Sequence, residues 1–293
     1  MKKKQRTLQN KNRYLLFSAP SLLIMAAIMI FPVCYAVYYS FFSMKLGGSA
    51  RFVALKNYID ILTDAEFLEA LKFSLLYTVV TVTFQVIFGM VIALLMDNIT
   101  KWRKPISVLI YLPYFISASV SGIIFRWLFI SNWGLVAQFL GQLGIPAPSW
   151  FDSPLLSRII VMAAEIWQNT PFAVIIFYAG LQSVSLEQLE AAKLDGANGL
   201  QRFWHVKVPH LRHLLILVLA MRIMDAFRIY DRIATMTKGG PGTSTQSVSL
   251  YAYKLAFTKL RVGKGCAAGV LILIAMAVPV FILLKMMRSE EAD

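Results

Sequence analysis

Residues Phe73–Met96 read FSLLYTVVTVTFQVIFGMVIALLM, a stretch without a charged side chain. It is long enough to cross the roughly 30 Å of hydrocarbon in a bilayer as one helix. Outward from it, comparable runs lie at about Tyr14–Phe42, Pro105–Ile130, Ser157–Leu181, Leu214–Met236 and Gly265–Met287. The expected fold is therefore all-α, a polytopic transmembrane helix bundle of about six spans. The first run is too long for a cleaved signal peptide, and no small-residue cleavage site precedes a mature domain.

Composition agrees. Apolar residues make up 58% of the 293 and charged residues 15%, against roughly one quarter charged in soluble domains. A soluble fold of this length would expose large apolar patches. The 29 Lys and Arg against 15 Asp and Glu would suggest nucleic acid in a soluble protein. Here much of the excess lies in short segments between apolar runs, where it reads as a topology signal, and no nucleic-acid partner is expected. Cys34 and Cys266 lie in or beside apolar stretches and form neither a metal cluster nor a disulfide framework.

Cytoplasmic segments of membrane proteins are enriched in Lys and Arg. Lys2, Lys3, Lys4, Arg6, Lys11 and Arg13 crowd the N-terminal tail; Lys101, Arg103 and Lys104 follow the second run; Lys193, Arg202, Lys207 and Arg212 follow the fourth. The Ser131–Pro154 loop carries none. Both termini are thus expected in the cytoplasm. This gives a basic tail at 1–13, a membrane domain at 14–287 and a short cytoplasmic tail at 288–293. The 238–264 loop is basic yet falls outside in this scheme.

Several runs hold residues that a passive anchor does not need. Pro32, Pro113, Pro171 and Pro279 each remove a backbone donor. Gly265 and Gly269 form a small-xxx-small pattern that permits close helix approach. Arg222, Asp225, Arg228, Asp231 and Arg232 fall in or near the end of the fifth run. An ionisable group at a helix centre costs about 2.5–3.5 kcal/mol on insertion scales, so these cannot face lipid. Helical spacing sets Asp225 beside Arg222 and Arg228, and Arg228 beside Asp231 and Arg232. Such a ladder either holds helices together or lines a pathway, or does both. In the fourth run Glu165, Gln168 and Asn169 share a helix face, bracketed by Trp167 and Phe172. Polar groups with aromatics suit a sugar; the same groups could also bond to neighbouring helices.

Between the fourth and fifth runs, residues 182–213 read QSVSLEQLEAAKLDGANGLQRFWHVKVPHLRH. Ser185 with Gln188 is a capping-box pattern that starts a helix at Leu186. Asp195-Gly196 breaks it, and a second short helix is expected to end before Pro209. This cytoplasmic helix–turn–helix, joined to two spans, is a handle by which a docked partner could lever them.

Glu190-Ala191-Ala192, Asp195-Gly196-Ala197, Phe203, Val206 and Val208-Pro209 resemble the EAA loop of binding-protein-dependent ABC importer permeases. Trp167-Gln168-Asn169, Ala179-Gly180-Leu181-Gln182, Tyr230-Asp231, Thr237-Lys238-Gly239-Gly240-Pro241 and the outer-loop stretch Phe52–Tyr58 resemble the maltose-type carbohydrate uptake subfamily, specifically the first of its two paired permeases. Phe73-Ser74 departs from the subfamily's usual Asn-Thr.

The resemblance implies that Glu190, Ala191, Ala192, Asp195, Gly196 and Ala197 couple to an ATPase subunit dimer. It also implies a second homologous permease, an external solute-binding protein and a small-molecule solute as partners, in a bacterial plasma membrane. Glu165, Gln168, Asn169, Arg222, Asp225, Arg228 and Asp231 are the pathway candidates. No catalytic or metal site is expected. Gly239-Gly240-Pro241-Gly242 lacks the Lys and Ser/Thr of a phosphate-binding loop, so ATP and Mg belong to the partner and this chain binds no cofactor. Sugar is the leading solute class and glycerol-phosphate or another polar solute the rival. An ion-coupled secondary transporter, using the carboxylates, is the alternative from another class. A reporter fused after Thr243 is expected to score as external; a cytoplasmic score would overturn the six-span orientation.

Overall fold

The computed structural model describes residues 2–45, 47–99 and 101–290. The chain divides into two compact units, Met1–Ile61 with Ala252–Leu271 and Leu62–Tyr251 with Ile272–Asp293. Helices run in the order α1 Lys2–Ser40, α2 Lys56–Leu62, α3 Ala65–Asn98, α4 Arg103–Tyr111, α5 Ala118–Leu128, α6 Leu135–Gln142 and α7 Pro154–Gln182. They continue with α8 Leu186–Leu194, α9 Gly199–Arg202, α10 Val208–Phe227, α11 Asp231–Met236, α12 Val248–Tyr253 and α13 Val262–Glu290. Among the described residues the fold is all-α apart from one two-stranded ribbon, Phe42–Ser43 against Arg51–Phe52. Of the expected tail at 288–293, residues 291–293 lie outside the described residues.

Among the described residues, four helical stretches are long and apolar enough to cross a membrane: Ala19–Ser40, Ala65–Asn98, Pro154–Gln182 and Val262–Leu283. The expected third span is not one rod. Arg103–Phe115 and Ala118–Leu128 meet at 98° and can supply a fifth crossing only as a bent pair. Pro113 lies in the 3-10 turn at that bend, whereas Pro32, Pro171 and Pro279 lie inside continuous helices. The expected fifth span also divides, because α10 ends at Phe227 and α11 starts at Asp231. At 1.5 Å per residue, α10 has the length of a span, but Arg212, Arg222 and Asp225 deny it an apolar composition.

In the larger unit α3 packs along α7. Gly89 makes this possible: a β-carbon there would lie 2.5 Å from the Ala173 Cβ. Phe177, Val174 and Leu181 from α7 join Ala93 and Met96 from α3 and Val218 from α10 in one buried cluster. A second cluster joins Tyr77, Val161, Ile233 and Leu250. Residues 245–247 are buried, and the Ser74 hydroxyl accepts the Val248 N–H at 3.0 Å. The departure from the subfamily's Asn-Thr at 73–74 therefore keeps a hydroxyl-bearing side chain where a helix start needs one.

In the smaller unit Asn57 donates to the carbonyls of Ser40 and Phe42 at 2.8 and 2.9 Å, tying α2 to the end of α1. Lys264 pairs with Asp60 at 2.7 Å. The Gly265/Gly269 pattern does not form a helix–helix seam in this unit. Gly265 approaches Ala256 of the turn just before its own helix, and Gly269 meets nothing within 4 Å.

Candidate functional site

The polar residues of α7 and the charges beyond α10 form one network. Glu165, buried, accepts from Tyr77 Oη at 2.9 Å, from Gln85 Nε2 at 3.3 Å and from Asn169 Nδ2 at 2.9 Å, and it forms an ion pair with Arg232. Arg232 also donates to Gln168 Oε1 and to Tyr77 Oη. Gln168 in turn donates to the Ile116 carbonyl at the 98° bend. Arg232 is fully buried, and Tyr77 and Gln85 match it. A buried charge survives only when paired and hydrogen-bonded, and this set provides both.

That pairing overturns half of the expected ladder. Arg228 does not stand beside Asp231 and Arg232 on a helical face, because the helix stops between them. No glycine or proline marks the stop. Turning α11 inward lets Arg232 reach Glu165 on another helix, and that long-range bond outweighs continued helix. α11 is then held against α5: Arg126 Nη1 donates to the Met236 carbonyl at 3.1 Å and Thr235 Oγ1 to the Ser119 carbonyl at 3.3 Å. Asp231 is exposed at the start of α11, apart from this pairing.

The other half of the ladder stands. Asp225 bonds Arg222 and, at 2.8 Å, Arg228. Arg222 is 4% exposed, lies 4.4 Å over the Phe172 ring and donates to Asn169 Oδ1 at 2.9 Å. Asn169 thus bridges the two clusters, with its amide nitrogen on Glu165 and its oxygen on Arg222. Tyr114 stacks near Phe172 at 5.9 Å. Trp167, expected to bracket the same cluster, packs instead on Phe125 and lines an apolar cavity of about 520 Å3 with Pro113 and Pro171. Sequence reading missed the parts of Tyr77 and Gln85. Polar residues within the otherwise apolar 73–96 run were the available signal.

The hairpin at 182–213 has its expected first helix, α8, but not its expected cap: the Ser185 side chain makes no capping bond. A capping box forms instead at Asn198 and Gln201. α8 ends as glycine permits. Gly196 has φ +83°, its N–H bonds the Lys193 carbonyl at 3.1 Å, and Ala197 N–H bonds the Ala192 carbonyl at 2.9 Å. This is a Schellman closure. Glu190, Ala191, Asp195 and Gly196 are exposed, with Ala192 and Ala197 half-buried. Leu186, Leu194 and Leu200 also stand out of the surface.

The second helix does not stop before Pro209. A π-turn at Phe203–Lys207 carries it into α10, and the wider turn accommodates a ring that would otherwise clash with the preceding turn. Both roots of the hairpin meet on one carboxylate. Asp97 at the end of α3 accepts from Gln182 at 2.7 Å and from Lys207 at 2.9 Å.

The model of the family described as "Binding-protein-dependent transport system inner membrane component" matches residues 85–289. Over 278 residues the chain is 30% identical to the sulfoquinovosyl glycerol transport system permease protein SmoG of Agrobacterium fabrum, covering 94% of this chain and 90% of that protein. It is 32% identical over 274 residues to the trehalose transport system permease protein SugA of Mycobacterium tuberculosis, covering 92% and 86%. The fold is similar to that of a bacterial ABC transporter involved in the import of the acidic polysaccharide alginate, with TM-score 0.84 and 20% identity over 97% of this chain and 99% of that one.

Removing Glu165 leaves Arg232 buried without a counter-charge. Glu165→Ala is expected to cost about 3–5 kcal/mol, read as a fall in thermal unfolding midpoint in detergent. A Glu165→Leu, Arg232→Met double variant should recover much of the loss. An unchanged midpoint in Glu165→Ala would show that the pair does not hold α7 and α11 together.

Proposed function

The chain belongs to the binding-protein-dependent transport system inner membrane component family, and we propose that it is one of two paired permeases of an ATP-driven carbohydrate importer. In this reading an external solute-binding protein delivers a mono- or oligosaccharide. A second homologous permease completes the pathway, and an ATPase dimer, holding ATP and Mg, supplies the energy. The chain crosses the bacterial inner membrane about six times, with α10 as the polar crossing and both termini inside.

The observation that carries the reading is the hairpin fixed at its base. Glu190 to Ala197 would dock in the ATPase. Ala191 and Ala192 allow close packing, Glu190 offers a carboxylate to a basic group, and Gly196 sets the turn. Because α7 and α10 leave the hairpin and Asp97 pins both roots to α3, a push on the hairpin is delivered to three helices at once. Two of them, α3 and α7, carry Tyr77, Gln85, Glu165, Gln168 and Asn169, so the push reaches the polar cluster. ATP-driven closure of the dimer would open the pathway outward, and hydrolysis would reset it.

A carbohydrate is favoured by the transport of trehalose and of sulfoquinovosyl glycerol named for the relatives, and by charges that are already mutually satisfied. Glu165 answers Arg232 and Asp225 answers Arg222. Phe172 and Tyr114 beside Asn169 offer a ring face next to hydrogen-bonding groups. The exposed Arg228 favours a second reading, the same machinery moving glycerol-phosphate or another anionic solute. Family membership sets aside the ion-coupled secondary transporter.

Two measurements test this. Binding of a sugar panel to the cognate solute-binding protein should give one or more ligands that stimulate ATP hydrolysis by the reconstituted complex; stimulation by glycerol-phosphate alone would favour the second reading. Gly196→Leu places a side chain at φ +83°, costing roughly 1–2 kcal/mol, and should abolish sugar uptake into proteoliposomes while membrane insertion persists. Normal uptake by this variant would remove the hairpin from the coupling path.

A further inference from the structure

An open groove of about 930 Å3 runs along α3 beside the root of the hairpin. Ile87, Val91 and Leu94 of α3 line it together with Leu200, Phe203 and Trp204. Ile87 and Val91, one turn apart, are each 49% exposed, and Trp204 is 58% exposed. Most of the lining is apolar, but Arg202, Lys207 and Asp97 also belong to it.

These charges are unequal in their partners. Lys207 is matched by Asp97 at 2.9 Å, and Asp97 also holds Gln182. Arg202 has no ion-pair partner among the described residues. It is among the residues that line the groove, and an unpaired cation beside an apolar surface favours an anionic oxygen brought by something else. Whatever brings it must also cover an apolar strip on a membrane-crossing helix, with a Trp among the lining residues. Aromatic residues mark the headgroup level of a bilayer, and basic pockets between helices on the cytoplasmic side suit anionic headgroups.

We propose that this groove binds an anionic glycerophospholipid of the inner leaflet, with an acyl chain along Ile87 to Leu94 and the phosphate at Arg202. The lipid would lie against the base of the lever, touching both α3 and the π-turn that carries the hairpin into α10. The proposal takes from the importer reading only the cytoplasmic position of the hairpin.

Trp204 reports on the groove directly. The assembled complex is titrated in mixed micelles with brominated phosphatidylglycerol or brominated phosphatidylcholine, and the Trp204 component of quenching is obtained by difference from Trp204→Phe. The anionic lipid is expected to quench at a severalfold lower mole fraction than the zwitterionic one. Arg202→Gln should weaken that preference about fivefold, the worth of one cation near an anionic surface, and Arg202→Lys should keep it. Equal quenching by both lipids would overturn the proposal in favour of an unselective apolar surface. Quenching by neither would overturn it in favour of a protein segment covering the groove. The wild-type comparison decides even where a variant folds poorly. Sugar-stimulated ATP hydrolysis, measured on the same preparation, separates failure here from failure of the importer reading.

Discussion

A guanidinium buried completely in a membrane-crossing bundle must find its counter-charge, and Arg232 finds it in Glu165. Much of the larger unit follows from that requirement. To reach α7, the chain breaks the helix after Phe227 and turns α11 inward. α11 then needs a bed, and α5 provides it, with Gly122 leaving no side chain beneath the Arg232 backbone. α5 can lie there because the chain bends between Leu112–Phe115 and Ala118, and Gln168 holds the bend through the Ile116 carbonyl while its oxygen accepts from Arg232. One ion pair thus ties together α11, the bent α4–α5 pair and the straight α7.

The network is graded from dry to wet. Glu165 and Arg232 neutralise each other among Tyr77, Gln85 and Gln168, where solvent does not reach. Asn169 hands the chain of bonds on to Arg222, which is buried against Phe172. Asp225 and Arg228 continue it outward, the latter with its side chain 64% exposed. Buried ion pairs often add little net stability compared with apolar substitutes. Their geometry here serves instead to fix how three helices meet.

The apolar runs were legible because a bilayer imposes a length, and α3 and α7 follow their runs closely. The hairpin was legible because its signals are local: good helix formers to Leu194, then Asp195-Gly196. Its caps were less so. Ser185 and Gln188 have the right spacing and make no cap, while Asn198 and Gln201, with equal spacing, do. Asp97 as the common anchor was not legible, since its partners lie far along the chain. The break at 228–230 left no local mark either. Helical spacing put Arg232 beside Arg228, and only the fold brings it to Glu165. Local pattern reads what neighbours along the chain decide; it is silent on bonds that close over long loops.

The Schellman closure at Gly196 and the capping box at Asn198 and Gln201 have a thermodynamic consequence. Both ends of the turn satisfy their own backbone donors and acceptors before anything touches them. A surface already rigid loses little conformational entropy on association, so modest contacts suffice and each can be released again. A segment that folded only on docking would spend part of its contact energy on ordering and need a larger interface for the same affinity. If the hairpin docks as proposed, its preformed state would let engagement stay loose enough to be reversed.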